Sequence, residues 1–315
     1  MISQIIIHPT WNIIDSSKLQ DFLMCPRYYF YTYILGWQPE VANHDLIFGE
    51  AWHAAMLWLK LHGYSEEDCI KAFNKFLEIY RQTFTEDTDE LYEPKTPMSA
   101  LKMLSKYTTD YASDVRDFKV LYGEVGGTVS LSEDRTLAFR LDTICQEEKG
   151  IFSLEHKTTK KTLNRTWFDQ WELKIQVGTY AHVLHCLFPN ENIIGVKINA
   201  ASFMKTEQNL QRKLVDTPLG YMQNWLWSTL NWTDHLFYNM ENLNECKEDD
   251  PIMFAFPMIT ESCTKYYGCR YLDYCKTWSN PLQHCYQPPL GMKIEYWNPL
   301  EQKISTRVED GKLNT

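Results

Sequence analysis

The sequence lacks any segment suited to a membrane. No apolar run approaches the roughly 18 residues that a spanning helix needs. Residues 1–8 carry no positively charged segment, and the three isoleucines at 5–7 are too few for the apolar centre of a secretory leader. These absences predict a cytoplasmic protein of a bacterium or an infected host cell, with no membrane partner.

Positive charge is also scarce. Lysine and arginine number 31 against 41 aspartates and glutamates, which gives a net charge of −10. A protein that coats nucleic acid through bulk positive charge is therefore excluded. An enzyme that holds DNA in one local basic groove is not, and an acidic metal site would itself add negative charge.

Internal repeats and low-complexity tracts are absent, and the rest of the composition is ordinary. The 315 residues include 44% hydrophobic and 23% charged residues, as in a soluble globular protein of one large or two modest domains. Nine cysteines in a cytoplasmic chain indicate buried thiols, metal ligation or redox chemistry rather than disulfides.

The order of predicted elements indicates an α/β fold. Helices dominate the first third, a three-stranded antiparallel meander follows, and a helix, a strand, a long helix and a loop-rich tail complete the chain. The tail is expected to fold back on the N-terminal region. The predicted regions are a helical part at 1–119, a core at 120–245 and a cysteine-bearing tail at 246–315, with core strands at 120–131, 136–146, 151–157 and 193–203 and core helices at 168–187 and 219–243.

Three residues of the meander carry the chemistry. Asp142 ends one predicted strand, and Glu155 and Lys157 lie two residues apart on the next. Alternate residues of a strand share a face, so Glu155 and Lys157 project together while His156 points away. Two carboxylates can hold a hard divalent ion such as Mg²⁺ or Mn²⁺, and a lysine can stabilise a phosphate under attack. The alternative is a surface salt bridge between strands, because this spacing alone is common.

Further residues stand in a suggestive order. Gln176 and Tyr180 share one face of the helix at 168–187. His53 lies on a predicted amphipathic helix at 48–62, where a core histidine is the alternative. Near the start, Ser16 and Ser17 begin a helix that Cys25 and Pro26 interrupt, and a second helix is expected from Arg27 to about Leu35.

This ordered set resembles the RecB-like branch of the PD-(D/E)XK nucleases. It is similar to the CRISPR-associated four-cysteine iron–sulfur exonucleases and their phage relatives, over about residues 15–275. The resemblance implies a restriction-endonuclease-like core with a central mixed sheet flanked by helices. It also implies roles: Asp142 and Glu155 as metal ligands, His53 and the backbone carbonyl of His156 as further ligands, Lys157 as catalytic lysine, and Gln176 and Tyr180 orienting Lys157 or the DNA. Glu124 is a weaker candidate, with a solvated strand carboxylate as its alternative.

The cysteines divide into two groups. Cys263, Cys269 and Cys275 form a compact run, which metal explains most simply. In the resembling family, an N-terminal cysteine, here Cys25, joins three C-terminal ones around a [4Fe–4S] cluster. The pattern departs from the family at Tyr266, where a cysteine is expected, so zinc and free thiols remain alternatives. Four of the other cysteines are expected to be small core residues, and Cys285 has no assigned role. The four are Cys69, Cys145, Cys186 and Cys246.

Basic residues near the predicted site are candidates for DNA contacts, with solvated surface charge as their alternative. Arg140 should share the face of Asp142, and a basic group follows the catalytic strand. Trp167 and Trp171 could stack on bases, although core packing is the stronger interpretation. The basic group comprises Lys160, Lys161 and Arg165, with Arg27 and Arg212 as weaker candidates.

These interpretations favour a metal-dependent deoxyribonuclease, an exonuclease that acts on single-stranded DNA or on DNA ends in recombination, repair or phage DNA processing. Recombination or replication proteins are expected partners. Two alternatives belong to other classes. One is an inactive DNA-end-binding or recombination accessory protein on a nuclease scaffold, and the other is a structural iron–sulfur or redox protein.

Overall fold

A computed structural model of the chain describes residues 5, 7–264, 268–301, 304–309 and 311–314. Short 3-10 turns and one π-helical turn at Phe30–Ile34 connect several of the regular elements. The α-helices described are α1 (Ser16–Met24), α2 (Pro26–Tyr29), α3 (His44–His62), α4 (Glu66–Tyr80), α5 (Pro97–Asp110), α6 (Asp114–Asp117), α7 (Arg165–Asp169), α8 (Ile175–Leu187), α9 (Leu219–Glu245) and α10 (Leu272–Thr277). The strands are β1 (Trp37–Pro39), β2 (Lys119–Ser130), β3 (Thr136–Glu147), β4 (Gly150–Thr159), β5 (Ile193–Phe203), β6 (Gln208–Val215), β7 (Met292–Ile294), β8 (Thr306–Glu309) and β9 (Lys312–Asn314).

A seven-stranded mixed sheet forms the centre of the fold, in the order β6-β5-β4-β3-β2-β8-β9. The β3–β4 and β5–β6 pairs are antiparallel, whereas β4–β5 and β2–β8 are parallel. Gly127 permits the β2–β8 pairing, because a Cβ there would lie 1.8 Å from the Val308 carbonyl oxygen. The mixed α/β architecture, with helices flanking the sheet, confirms the predicted restriction-endonuclease-like fold class.

The chain divides into two compact units. One contains the described residues of 42–129, 140–222 and 303–315. In it, helices α3, α4 and α5 pack on one another and on β5 and β6, and α8 packs on β4 and β5. One face of α3 is buried, with residues three or four apart along the helix. Burial of each large apolar side chain on it stabilises the fold by about 1.5–3 kcal/mol. The buried apolar residues are Phe48, Ala51, Trp52, Ala55, Met56 and Leu59.

Polar residues begin the helices of this unit. The Asn43 side chain accepts from the first backbone N–H groups of α3. Ser65 and Asp68 form a reciprocal capping box at α4, and Thr96 and Ser99 do the same at α5. Such caps satisfy donors that have no partner within the helix.

The two faces of the sheet carry different neighbours, as the alternation of strand residues requires. On β5, Ala201 and Phe203 belong to the core shared with α3, α4 and α5. On β4, Glu155 faces the other way and contacts Gln176 of α8. The helices therefore cover opposite faces, and the candidate site lies on the α8 side of β4.

The other unit contains the described residues of 1–41, 130–139 and 223–302. Its core is rich in aromatic rings, including Tyr29, Phe30 and Tyr31, which pack on Phe256 and Tyr271. A two-stranded antiparallel sheet of β1 and β7 belongs to the same unit.

Three local predictions differ from the structure. The single helix expected at 168–187 is two helices, because the chain leaves the helix at 170–174, where Trp171 turns into the core. The helix expected to run from Arg27 to Leu35 widens into a π-turn after Tyr29. Strands β8 and β9 were not expected at all. No described helix is long and apolar enough to cross a membrane.

Candidate active site

The site is built where β3 and β4 run side by side. Their antiparallel pairing places Thr143 opposite Leu154. Asp142 and Glu155 are the neighbouring residues on β3 and β4, at the same end of that pair. On β4, Nζ of Lys157 lies 2.6 Å from Oε1 of Glu155. The structure thus brings the three sequence-predicted residues together, and His156 points to the opposite face as expected.

Helix α3 reaches the same place through His53. Its Nδ1 lies 2.8 Å from Oδ1 of Asp142, and the backbone N–H of His156 donates to Oδ2 of Asp142 at 2.8 Å. Burial alone would raise the pKa of Asp142, but the charge and hydrogen bond of His53, together with His156, hold it well below its usual value. Asp142 is therefore ionised, and the same contact raises the pKa of His53 against the effect of burial.

The pKa of Glu155 is shifted in the opposite direction from that of Asp142. Glu155 is 2% exposed, and burial, followed by the charge of Asp142, raises its pKa to about 7. Within the described part of the chain, its Oε2 atom is buried without a hydrogen-bond partner. A buried acceptor of this kind next to a second carboxylate is suited to a cation.

Helix α8 supplies the remaining side of the site. Nε2 of Gln176 donates to Oε1 of Glu155 at 3.3 Å and to the Tyr180 hydroxyl at 2.7 Å. Both side chains lie on one face of α8, as their spacing of one helical turn requires. The indole of Trp171 lies 5.2 Å from Nζ of Lys157, and both Trp171 and Trp167 are buried, so they serve as core rings here.

The donor atoms suit a hard divalent ion. Two carboxylates and the His156 carbonyl offer the oxygen ligands that suit Mg²⁺ and Mn²⁺, and the His53 imidazole offers a nitrogen. As described, however, these side chains are paired with one another, and no group of three or more histidines, cysteines, aspartates or glutamates among the described residues is arranged to hold a metal ion. The chemistry of the donors fits, while the Asp142–His53 contact occupies one of the ligating atoms.

Behind the site, a row of buried polar residues crosses three strands. His156 on β4 pairs in register with Asn199 on β5, which pairs with Arg212 on β6. Their side chains are linked, Asn199 to His156 at 2.9 Å and Arg212 to Asn199 at 3.1 Å. Asp114 completes the row, accepting two bonds of 2.8 Å from Arg212 and one of 2.6 Å from Lys60.

This row was missed in the sequence, because no local pattern shows which strand residues will be neighbours. It also argues against Arg212, a weaker candidate for a DNA contact, since its guanidinium is engaged by Asp114. Arg27 is likewise buried, donating to the carbonyls of Phe256 and Met253.

The predicted DNA-contacting residues occupy different environments. Arg140 is partly exposed and lies 3.2 Å from Oε1 of Glu124, and Lys160 lies 3.2 Å from Asp45. Lys161 is exposed, and the Arg165 side chain is 94% exposed. Lys95, a buried basic residue just before α5, was overlooked. Its side chain contacts Asp45 and donates to Thr158 of β4.

Three cysteines of the tail, Cys263, Cys269 and Cys275, lie near Cys25. Cys25, Cys263 and Cys269 line one cavity of about 350 Å³. Cys275 lies on α10, and burial raises the pKa of its thiol to about 11. All nine cysteines are described, and none forms a disulfide. Cys69, Cys145 and Cys246 are buried as expected, whereas Cys186, also expected in the core, is half-buried. Tyr266 lies outside the described residues.

Adjoining strands of a mixed sheet that carry two acids and a lysine are the arrangement of a nuclease-type core. Residues 16–275 match the family described as the PD-(D/E)XK nuclease superfamily, and the chain belongs to that superfamily. Its members are generally metal-dependent nucleases. No curated protein matches the chain. Among solved structures, the chain is similar to the one described as "Crystal structure of SSO0001", with 10% identity, coverage of 63% of this chain and 90% of that chain, and a TM-score of 0.26.

Proposed function

We propose that the chain is a metal-dependent deoxyribonuclease that hydrolyses phosphodiester bonds at the Asp142–Glu155–Lys157 site. One observation carries the proposal: Glu155 is buried beside Asp142 and Lys157 with its Oε2 atom unpartnered among the described residues. A structural ion pair would leave no such acceptor, because an unsatisfied buried carboxylate oxygen is costly.

The ligands of the metal would be Asp142, Glu155 and the His156 carbonyl, with His53 either a ligand or a partner of Asp142. When bound, Mg²⁺ or Mn²⁺ lowers the pKa of a coordinated water and neutralises charge on the phosphate. Burial and the charge of Asp142 raise the pKa of Glu155, and a bound cation would oppose both effects and favour the ionised carboxylate.

The remaining residues would handle the substrate. The Lys157 ammonium can stabilise negative charge on the phosphate or orient the attacking water. Gln176 holds Oε1 of Glu155 and the Tyr180 hydroxyl, so it would fix the carboxylate in place. Arg140, Lys160, Lys161 and Arg165 would contact the DNA backbone, where phosphates require positive or hydrogen-bonding partners.

We further propose that the enzyme is an exonuclease of the RecB-like branch, acting on single-stranded or end-bearing DNA in recombination, repair or phage DNA processing. The order Asp142, Glu155, Lys157, Gln176, Tyr180 supports that branch. We also propose a [4Fe–4S] cluster held by Cys25, Cys263, Cys269 and Cys275. The cavity that three of these cysteines line supports it.

The test is cleavage of labelled DNA with Mn²⁺, Mg²⁺ or EDTA, on substrates blocked at either end. Wild type should cut only with metal, and Asp142→Ala and Lys157→Ala should cut at least about 100-fold more slowly. Asp110→Ala and Lys106→Ala, which remove an exposed ion pair of α5, are the matched controls. Equal cleavage by all variants would exclude the site, whereas DNA binding without cleavage would favour the accessory protein.

A further inference from the structure

Glu124 on β2 has a backbone conformation that side chains avoid. Its φ of 42° lies in the left-handed region, where the Cβ crowds the following carbonyl and where glycine or asparagine is the usual residue. The carbonyl of Glu124 accepts from the N–H of Ser305 at 3.0 Å, just before β8 pairs with β2 at Val125. The strand is thus fixed in this kink by its neighbour, and glutamate occupies it at a cost.

The side chain at this kink has a specific partner. Oε1 of Glu124 lies 3.2 Å from Nη2 of Arg140, and the two side chains are 19% and 29% exposed. Arg140 precedes Asp142 by two residues on β3, so the two project from the same face. The kink therefore directs a carboxylate onto an arginine beside the candidate site.

Arg140 is also within electrostatic reach of α8. Burial, followed by the charges of Glu155 and Asp142, raises the pKa of Tyr180, and the positive charge of Arg140 opposes them. The guanidinium therefore pairs with Glu124 and is also close enough to Tyr180 for its charge to act on that hydroxyl. Arg140 is the basic residue of β3, the strand that also carries Asp142.

We propose that Glu124 is a positioning residue, which holds the Arg140 guanidinium toward the phosphate that DNA brings to Asp142, Glu155 and Lys157. This role rests on the proposed nuclease function. An arginine with a fixed orientation meets a phosphate with less loss of side-chain freedom and better alignment. This role would also explain the strained backbone of Glu124, because strained conformations are retained at functional sites, where a side chain must be held in place.

A purely electrostatic role for Glu124 predicts the opposite result. A carboxylate near bound DNA repels phosphates, so its removal would tighten binding and speed cleavage. If Glu124 positions Arg140, Glu124→Gln should leave the Kd for DNA unchanged or lower, measured in EDTA, while kcat in Mn²⁺ falls about tenfold. The separation of Kd from kcat distinguishes the two roles.

Arg140→Gln should lower kcat by a similar factor, and the double variant should be no slower than Arg140→Gln alone, since both changes remove one interaction. Glu147→Gln is the matched control. Glu147 forms a comparable half-buried pair with Lys197 at 2.5 Å on the same sheet, and its loss should leave kcat unchanged.

Two further variants separate the backbone from the carboxylate. Glu124→Ala and Glu124→Gly both lack the carboxylate and should lose activity equally. Glu124→Gly should nevertheless melt at a higher temperature than Glu124→Ala, because glycine adopts a positive φ without strain. In an ordinary strand, glycine would be the less stable of the two.

The outcomes are distinct. A cutting enzyme in which Glu124→Gln or Glu124→Gly retains wild-type kcat overturns the positioning role and leaves the nuclease intact. A wild-type protein as inactive as Lys157→Ala with every metal overturns the nuclease proposal and this role together. A lower melting temperature for Glu124→Gly than for Glu124→Ala would overturn the explanation from backbone strain.

Discussion

The Nδ1 atom of His53 lies 2.8 Å from Oδ1 of Asp142, although 89 residues separate them in the chain. This contact joins α3 to the strand that carries the first acid of the site. It leaves Oδ2 of Asp142 to the backbone N–H of His156, so both carboxylate oxygens are held. Asp142 is therefore oriented before any substrate arrives.

The first prediction concerns His53. Whether His53 binds the metal or orients Asp142, His53→Ala should raise the metal concentration for half-maximal cleavage by about 10- to 100-fold. The measurement is a Mn²⁺ titration of DNA cleavage at saturating substrate. His62→Ala on the same helix is the control, because His62 is exposed, stacks on the Trp58 ring and bonds to the Trp58 carbonyl. An unchanged metal concentration for half-maximal cleavage in His53→Ala would show that His53 does not contribute to metal binding.

The second prediction concerns Asp114 in the polar row behind the site. Its carboxylate serves Lys60 and Arg212, whose side chains are 1% and 15% exposed. Asp114→Asn would leave both cations without a charge partner, which should lower the free energy of unfolding by about 3–5 kcal/mol. Chemical denaturation measures it, with Asp110→Asn as the exposed control. A loss as small as that of the control would show that water replaces the carboxylate.

The difference in the free energy of unfolding between wild type and Asp114→Asn should depend on pH, and the sign of that dependence follows from the pKa of Asp114. Burial would raise the pKa of Asp114, but Arg212 and Lys60 lower it from 3.8 to about 2 in the folded protein. A depressed pKa stabilises the fold above the unfolded value and loses that stabilisation as pH falls through the folded value. The advantage of wild type over Asp114→Asn should thus be constant above about pH 5 and shrink by about 2 kcal/mol toward pH 2.

Local sequence was enough for part of this site. Glu155 and Lys157 share a face because strand side chains alternate, and Gln176 and Tyr180 share one because helical turns repeat, so both pairs followed from spacing. The alternating and helical patterns likewise indicated an α/β core. The placing of His53 near the metal site came only from family resemblance, since no spacing relates a helix to a strand so distant in the chain, and its contact with Asp142 was not predicted.

The register between strands could not be predicted in this way. The row of His156, Asn199 and Arg212 depends on how β4, β5 and β6 align, and each residue alone resembles an exposed polar position. Arg212 was for that reason included as a weaker candidate for a DNA contact. The break between α7 and α8 was hidden similarly, because Trp171 continues the apolar pattern while lying outside both helices.

The last prediction concerns the cysteines. If Cys25, Cys263 and Cys269 hold a cluster around their shared cavity, with Cys275 as the fourth ligand, anaerobically purified wild type should contain about four iron atoms per chain and absorb broadly near 400 nm. Cys25→Ala and Cys269→Ala should each lose most of that iron.

Because Cys25 and Cys269 come from opposite ends of the chain, the cluster would link those ends, and its loss should also lower the melting temperature. Cys186→Ala is the control, since Cys186 lies on α8 and contacts His182 instead. Stoichiometric zinc without absorption near 400 nm would replace the cluster with a zinc site. A metal-free protein whose cysteine variants melt like wild type would assign these residues to packing, while DNA cleavage, measured separately, would still decide the activity of the Asp142 site.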